Sequence, residues 1–100
     1  MISRDKKKGF VRINKSKIEN MRFNFDDVLE KEELKEKRAQ YIHRAMAAGK
    51  EYKQNVNIRF KNIENRLLET RATIWRVTEN YVVLKNNIHI PIRSISNIYL

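Results

Sequence analysis

The chain contains no cysteine. This excludes disulfides, thiolate-bound zinc and thiol catalysis, and it removes any need for an oxidising compartment, so the expected setting is the cytoplasm. Glycine occurs twice and proline once in 100 residues. With Gly9 and Gly49 each standing alone, there is no glycine-rich phosphate loop, no nucleophile elbow around Ser94 or Ser96, and no flexible linker. No apolar run approaches the roughly 20 residues that span a bilayer, and the basic stretch Arg4 to Lys8 is not followed by the apolar segment of a signal peptide; no membrane partner is expected. The two histidines, His43 and His89, have no HxxxH-type spacing that would bind a metal from one face. Asp26, Asp27, Glu30, Glu32, Glu33 and Glu36 alternate with lysines, where carboxylates are solvated and not paired for acid–base work. The sequence therefore predicts a non-enzyme with no catalytic residue, cofactor or metal.

What the chain has in excess is positive charge: 22 Lys and Arg against 12 Asp and Glu, for a net +10. That balance favours a polyanionic partner or an acidic protein. The length fits one domain with a modest core. Charge divides it into three parts. Residues 1–24 form a basic arm, with Arg4, Lys6, Lys7, Lys8, Arg12, Lys15, Lys17 and Arg22 against only Asp5 and Glu19. Residues 25–53 are neutral overall, and residues 54–100 are basic again.

The neutral part carries helix signals at both ends. Asn24 is a candidate N-cap, Asp26 and Asp27 fall in the first turn where the helix dipole favours carboxylates, and Gly49 suits the C′ position. The expected helix runs from Phe25 to Ala48. Leu34, Tyr41, Ile42, Ala45, Met46 and Ala48 recur at helical spacing, while the charged first half, with Asp27/Lys31 and Glu33/Lys37 at i,i+4, suits solvent.

The last part alternates apolar and polar residues at period 2. Val56, Ile58 and Phe60 interleave with Asn57, Arg59 and Lys61, and Asn62 to Asn65 supply a turn. A long bent strand from Arg66 to about Val77 follows, then strands at Tyr81–Lys85 and Ile88–Ile92 joined by Asn86-Asn87, whose residue type tolerates positive φ. A short turn after Pro91 leads to a closing strand through Ile98. The fold class predicted is α+β: the basic arm, one long helix, and a five-stranded SH3-like or Sm-like small β-barrel. Its expected core is Val56, Ile58, Phe60, Ile74, Val82, Leu84, Ile90, Ile92, Ile95 and Ile98, covered by Ile42, Ala45 and Met46. Barrel edges of this kind can pair between subunits, so oligomerisation is an open expectation.

The ending "YVVLKNNIHIPIRSISNIYL" resembles the YolD-like proteins of Gram-positive bacteria and their phages. It has the strand, polar turn, Ile-Pro strand end and Ile-spaced closing segment, here Ile88, Ile90, Pro91, Ile92, Ile95 and Ile98. The resemblance covers roughly the last 45 residues, and "RDKKKGFVRIN" echoes the family's basic N-terminal motif without its Trp. It implies a non-enzymatic accessory protein connected with Y-family DNA polymerases and DNA damage. Two functions stay open on the residues. One is nucleic-acid binding, to DNA or RNA, through Lys6, Lys7, Lys8 and Arg12 of the arm and Arg59, Lys61, Arg71, Trp75, Arg76 and Tyr81 of the sheet, where an exposed ring stacks on a base and cations hold phosphate. The other is an adaptor that docks a larger enzyme such as a Y-family polymerase. Trp75 has two readings of its own, a base-stacking platform or a core residue of the barrel.

Overall fold

Period-2 alternation in the sequence becomes strand pairing in the computed structural model, which describes residues 9–99. Strand β1 is Phe10–Arg12, β2 is Val56–Lys61, β3 is Leu67–Ala72, β4 is Ile74–Val77, β5 is Tyr81–Leu84, β6 is Ile88–Pro91 and β7 is Ile95–Tyr99; the helix α1 is Glu32–Tyr52. β2 lies at the centre of one sheet, antiparallel to both β3 and β7, and β1 joins the far side of β3 in parallel, giving the order β1-β3-β2-β7. β4, β5 and β6 form a second, antiparallel sheet. Thr73 alone separates β3 from β4, so one stretch of chain feeds both sheets. The long strand expected from Arg66 to Val77 is thus divided at this residue. The pairings among the described residues draw two open sheets with seven strands and not the closed five-stranded barrel read from the sequence.

The core is where alternation puts it. Val56, Ile58, Phe60, Ile74, Val82, Leu84, Ile90 and Ile95 are fully buried, Ile42, Ala45 and Ile98 nearly so, and Met46 and Ile92 pack at its margin. The Asn86-Asn87 turn takes positive φ at both residues, 69° and 60°, as a tight hairpin requires. No helix among the described residues is long and apolar enough to cross a membrane.

Two boundaries differ from expectation. The segment from Phe10 to Phe23 is not a free basic arm. Ile18, in a 3-10 turn at Lys15–Ile18, is buried, and Ile13, Met21 and Phe23 pack against the core. Four apolar side chains spaced among the cations outweigh the solvation of those cations, whose heads reach water while the backbone stays down. Lys6, Lys7 and Lys8 lie outside the described residues. The helix, in turn, starts at Glu32 and not Phe25, with Lys31 in the cap position. Asp27 is used elsewhere: it forms a two-pronged ion pair with Arg38, at 2.8 and 2.7 Å, and accepts the Leu29 N–H at 2.8 Å. Arg38 also donates to the Ile95 carbonyl of β7 at 2.9 Å, and the Val28 N–H donates to the Arg93 carbonyl at 2.9 Å. These charge-assisted bonds hold residues 24–31 as an extended strap and outcompete an exposed first turn of helix.

At its other end α1 continues through Gly49 and stops at Lys53, which takes the left-handed conformation and donates its N–H to the Ala48 and Gly49 carbonyls. Gly49 is therefore not the C′ residue. It is buried, and a Cβ placed on it would lie 2.6 Å from the Ile74 carbonyl oxygen and 3.1 Å from the Thr73 methyl. The absent side chain is what lets α1 approach β4. Gly49→Ala should consequently destabilise the protein by about 1–3 kcal/mol, although alanine is the better helix former by ~1 kcal/mol, because the clash is with backbone. Urea unfolding of the variant checks this; stability equal to or above wild type would show that the close approach is dispensable.

Candidate nucleic-acid interface

The approach of α1 to β4 opens a groove between the C-terminal end of the helix and the bend that joins the two sheets. Gly49 and Ile74 form its floor. Lys50 and Lys53 enter from the helix end, Lys15 from the 3-10 turn, and Lys85 from the hairpin between β5 and β6. Trp75, 53% exposed, Asn55 and Thr73 complete the lining, with the Thr73 hydroxyl donating to Asn55 Oδ1 at 2.7 Å. The concavity measures about 660 Å³, and among the described residues no carboxylate lines it. Among the described residues none of these four lysines has an ion-pair partner. Lys50 and Lys53 complement the negative end of the helix dipole, typically worth 0.3–1 kcal/mol each. That explains two of the four and leaves Lys15 and Lys85 without a structural reason to be there. Lys15 also borders a second, smaller concavity with Arg12 and Arg71, again without a carboxylate in its lining.

The cations named from the sequence separate into two groups. On the outer face of the four-stranded sheet, Glu69 is nearly buried and gathers Arg12, Arg59 and Tyr99. Its Oε1 accepts from Arg59 Nε at 2.8 Å and from the Tyr99 hydroxyl at 2.7 Å, and its Oε2 accepts from Arg12 at 2.8 Å. The Arg59 guanidinium lies between two rings, 4.5 Å from the centre of Phe10 and 5.0 Å from that of Tyr99. Arg59 is therefore an internal tie and not the free phosphate contact expected of it, and Arg12 shares that role with its more exposed end. Strand register causes this: Arg59, Glu69 and Arg12 are direct cross-strand partners on one face of β2, β3 and β1.

Trp75, Arg76, Arg71 and Tyr81 all remain exposed, which settles Trp75 as a surface residue and not part of the core. Only Trp75 of these lines the lysine groove; Arg71 lines the neighbouring concavity. Lys61 is half-buried at the end of β2, and Tyr81 packs edge-on against His89 with ring centres 5.6 Å apart. Lys50 and Lys53 escaped the sequence reading because the helix was expected to end before them. Lys85, the last residue of the expected strand Tyr81–Lys85, was not among the expected contacts, because nothing local ties it to the helix end. The pattern that was available is the i,i+3 spacing of Lys50 and Lys53 beside a glycine. The groove offers ammonium and amide donors, which suit an anion; among the described residues no three His, Asp or Glu side chains converge as metal ligands would.

Comparison of the chain with known protein families, with curated proteins and with solved structures finds no match. What the site does must be argued from its own chemistry.

The Glu69 cluster has a pH signature. Burial would raise the Glu69 carboxyl, but hydrogen bonds from Arg59 and Tyr99 and the charges of Arg59 and Arg12 outweigh it and hold the group below the usual carboxylate range. Asp27 is lowered likewise, burial being outweighed by Arg38 and by the Leu29 N–H. Because both are depressed in the fold, the stabilisation they give is complete above the unfolded carboxylate range, about pH 4–5, and is lost as the pH falls through the lower folded values. The melting temperature should therefore be flat from neutral pH to about 5 and drop below about 4. In Glu69→Gln the drop should be shallower, and Glu69→Ala should lose about 2–4 kcal/mol at pH 7, since it leaves Arg59 without its anion. A Glu69→Gln acid profile identical to that of wild type would refute the assignment.

Proposed function

We propose that this chain is a non-catalytic, nucleic-acid-binding protein that grips phosphates in the groove between α1 and β4. One observation carries the reading: four lysines line, together with an exposed indole, a concavity that among the described residues holds no carboxylate in its lining. Clustering like charges without internal neutralisation costs the folded state, and a polyanion recovers that cost by displacing its own counterions. Arg71 and Arg76 extend the basic surface for sequence-independent phosphate contact. The two sheets, joined through β3 and β4 in the order β7-β2-β3/β4-β5-β6, read as an opened small barrel of the SH3-like or Sm-like type, and the ending shared with YolD-like proteins fits an accessory role in bacterial or phage DNA metabolism, in the cytoplasm.

A second reading has an observation of its own. Tyr41, Ala45, Ala48, Val56, Ile98 and Tyr99 line a predominantly apolar groove of about 450 Å³ between α1 and β7, which suits an adaptor docking a protein such as a polymerase. The two readings separate in one experiment. Replacing Lys50, Lys53 and Lys85 together by Ala should weaken binding to unrelated oligonucleotides by a similar factor. For single strands it should also lower the slope of log affinity against log salt by about 2 units, at ~0.7 per lost contact. Fluorescence anisotropy across a salt series reads both quantities. If the triple variant binds with the wild-type slope, or if the wild type binds no oligonucleotide at low salt, the groove is not a phosphate site and the adaptor reading takes its place.

A further inference from the structure

The groove also carries information about which form of nucleic acid it takes. Trp75 is the chain's one tryptophan, and its indole is more than half exposed although burying it would gain substantially. It sits on a strand with a buried neighbour on one side, Ile74, so its position is fixed by the sheet and not by a loose loop. Around it the only charges lining the groove are ammonium groups. Asn55 shares the lining, and its carbonyl oxygen is already occupied by the Thr73 hydroxyl; the bond orients the amide and leaves its NH₂ as a donor. An aromatic face, phosphate-binding cations and an oriented amide are the parts that recognise an unpaired nucleotide. A duplex presents phosphates but keeps its base faces stacked inside, where the indole cannot reach them.

We propose that the groove binds single-stranded nucleic acid, with one base stacked on Trp75, the adjoining phosphates on Lys50, Lys53 and Lys85, and the Asn55 amide directed at the base edge. This rests on the nucleic-acid reading above and narrows it. The chemistry is that of a nucleotide, and the chain length of the ligand decides between a strand and a free nucleotide: a strand engages Lys15 as well as Lys50, Lys53 and Lys85, so affinity rises with length.

The test uses the whole chain and the fluorescence of Trp75, which has no competing indole. A twelve-residue oligo(dT) should quench the emission saturably, with a fitted affinity equal to that from anisotropy of the labelled oligonucleotide. Thymidine monophosphate should need at least tenfold higher concentration to reach the same quenching, and a twelve-base-pair duplex should leave the emission unchanged. Trp75→Ala should weaken oligo(dT) binding roughly 5- to 150-fold, the range for losing one stacked base, with duplex binding changed less than twofold, and Trp75→Phe should recover most of the loss. Because the ring is exposed, melting temperatures of both variants should stay near wild type. Oligo(dT) binding that is salt-dependent but neither quenches the indole nor responds to Trp75→Ala overturns the inference and leaves the nucleic-acid reading standing. Equal quenching by duplex overturns the preference for single strands, equal quenching by the monophosphate overturns the strand in favour of a free nucleotide, and no binding of either oligonucleotide at low salt removes both the inference and the reading beneath it.

Discussion

Everything at the proposed interface depends on one close contact, that of Gly49 with the backbone of β4. A helix ordinarily meets a sheet across two layers of side chains; here one layer is missing at a single position, and the Ile74 carbonyl sits where a Cβ would go. The helix end comes down at the place where the chain passes from one sheet to the other, and the residues just after the glycine are Lys50 and Lys53. Trp75 and Lys85 follow from the same junction, because β4 and the hairpin beside it hold them on the sheet side of the groove. Displacing the helix outward by the width of a methyl group would separate the lysines on α1 from the ring on β4.

Glu69 accounts for a different division, between cations the fold uses and cations it leaves over. On the outer face of the larger sheet, two arginines and a tyrosyl hydroxyl converge on one nearly buried carboxylate, and the aromatic rings of Phe10 and Tyr99 flank Arg59. These contacts tie β1 to the sheet and fix how residues 10–12 enter the fold. Arg38 does the corresponding work on the opposite flank, joining the strap at Asp27 to the Ile95 carbonyl. Arginine serves for these internal ties because its planar fork makes several directed bonds at once, whereas the groove is lined by lysines, which act as mobile point charges. In these places the internal ties are made by arginine and the groove's available charge by lysine, while Arg71 and Arg76 stay exposed beside it.

The strands after the helix were legible in outline because a half-buried strand must alternate, and the buried face of β2 followed from Val56, Ile58 and Phe60; β1, hidden in the basic arm, and the pairing register were not. The tight turn at Asn86-Asn87 was legible for an equally local reason, the positive φ that asparagine tolerates. The start of the helix was not. Asn24, Asp26 and Asp27 form a sound local cap signal, but the partner that claims Asp27 is Arg38, 11 residues along, and it acts together with a carbonyl of β7 that no local pattern reveals. Gly49 was misread for the same reason: as a cap it is a local device, as a point of approach it is explained only by Ile74. Arg59 was taken for a free cation because its face of the sheet was known while its cross-strand neighbour Glu69 was not. Trp75 lay beyond sequence reasoning in another way, since aromatic residues in strands are as suited to the core as to a surface platform.

The net charge of the chain hides an asymmetry along α1 that matters for any anionic partner. Its first turns carry exposed Glu32, Glu33 and Glu36 interleaved with Lys35, Lys37 and Arg38, Lys35 pairing with Glu32 at 3.4 Å, while Lys50 and Lys53 stand at the other end beside Glu51. At 1.5 Å per residue the two sets lie about 20 Å or more apart along the axis, which exceeds the screening length of about 8 Å at physiological salt. The carboxylates, met by neighbouring cations and far from the groove, therefore do little to cancel its attraction for phosphate, and the groove's own lysines turn it toward a polyanion at long range. Orientation of this kind affects the rate of encounter more than the strength of the final contact. The helix then serves as a spacer: the acids of its first turns are met by cations of the same turns, and the lysines of the groove stand beyond the reach of that charge.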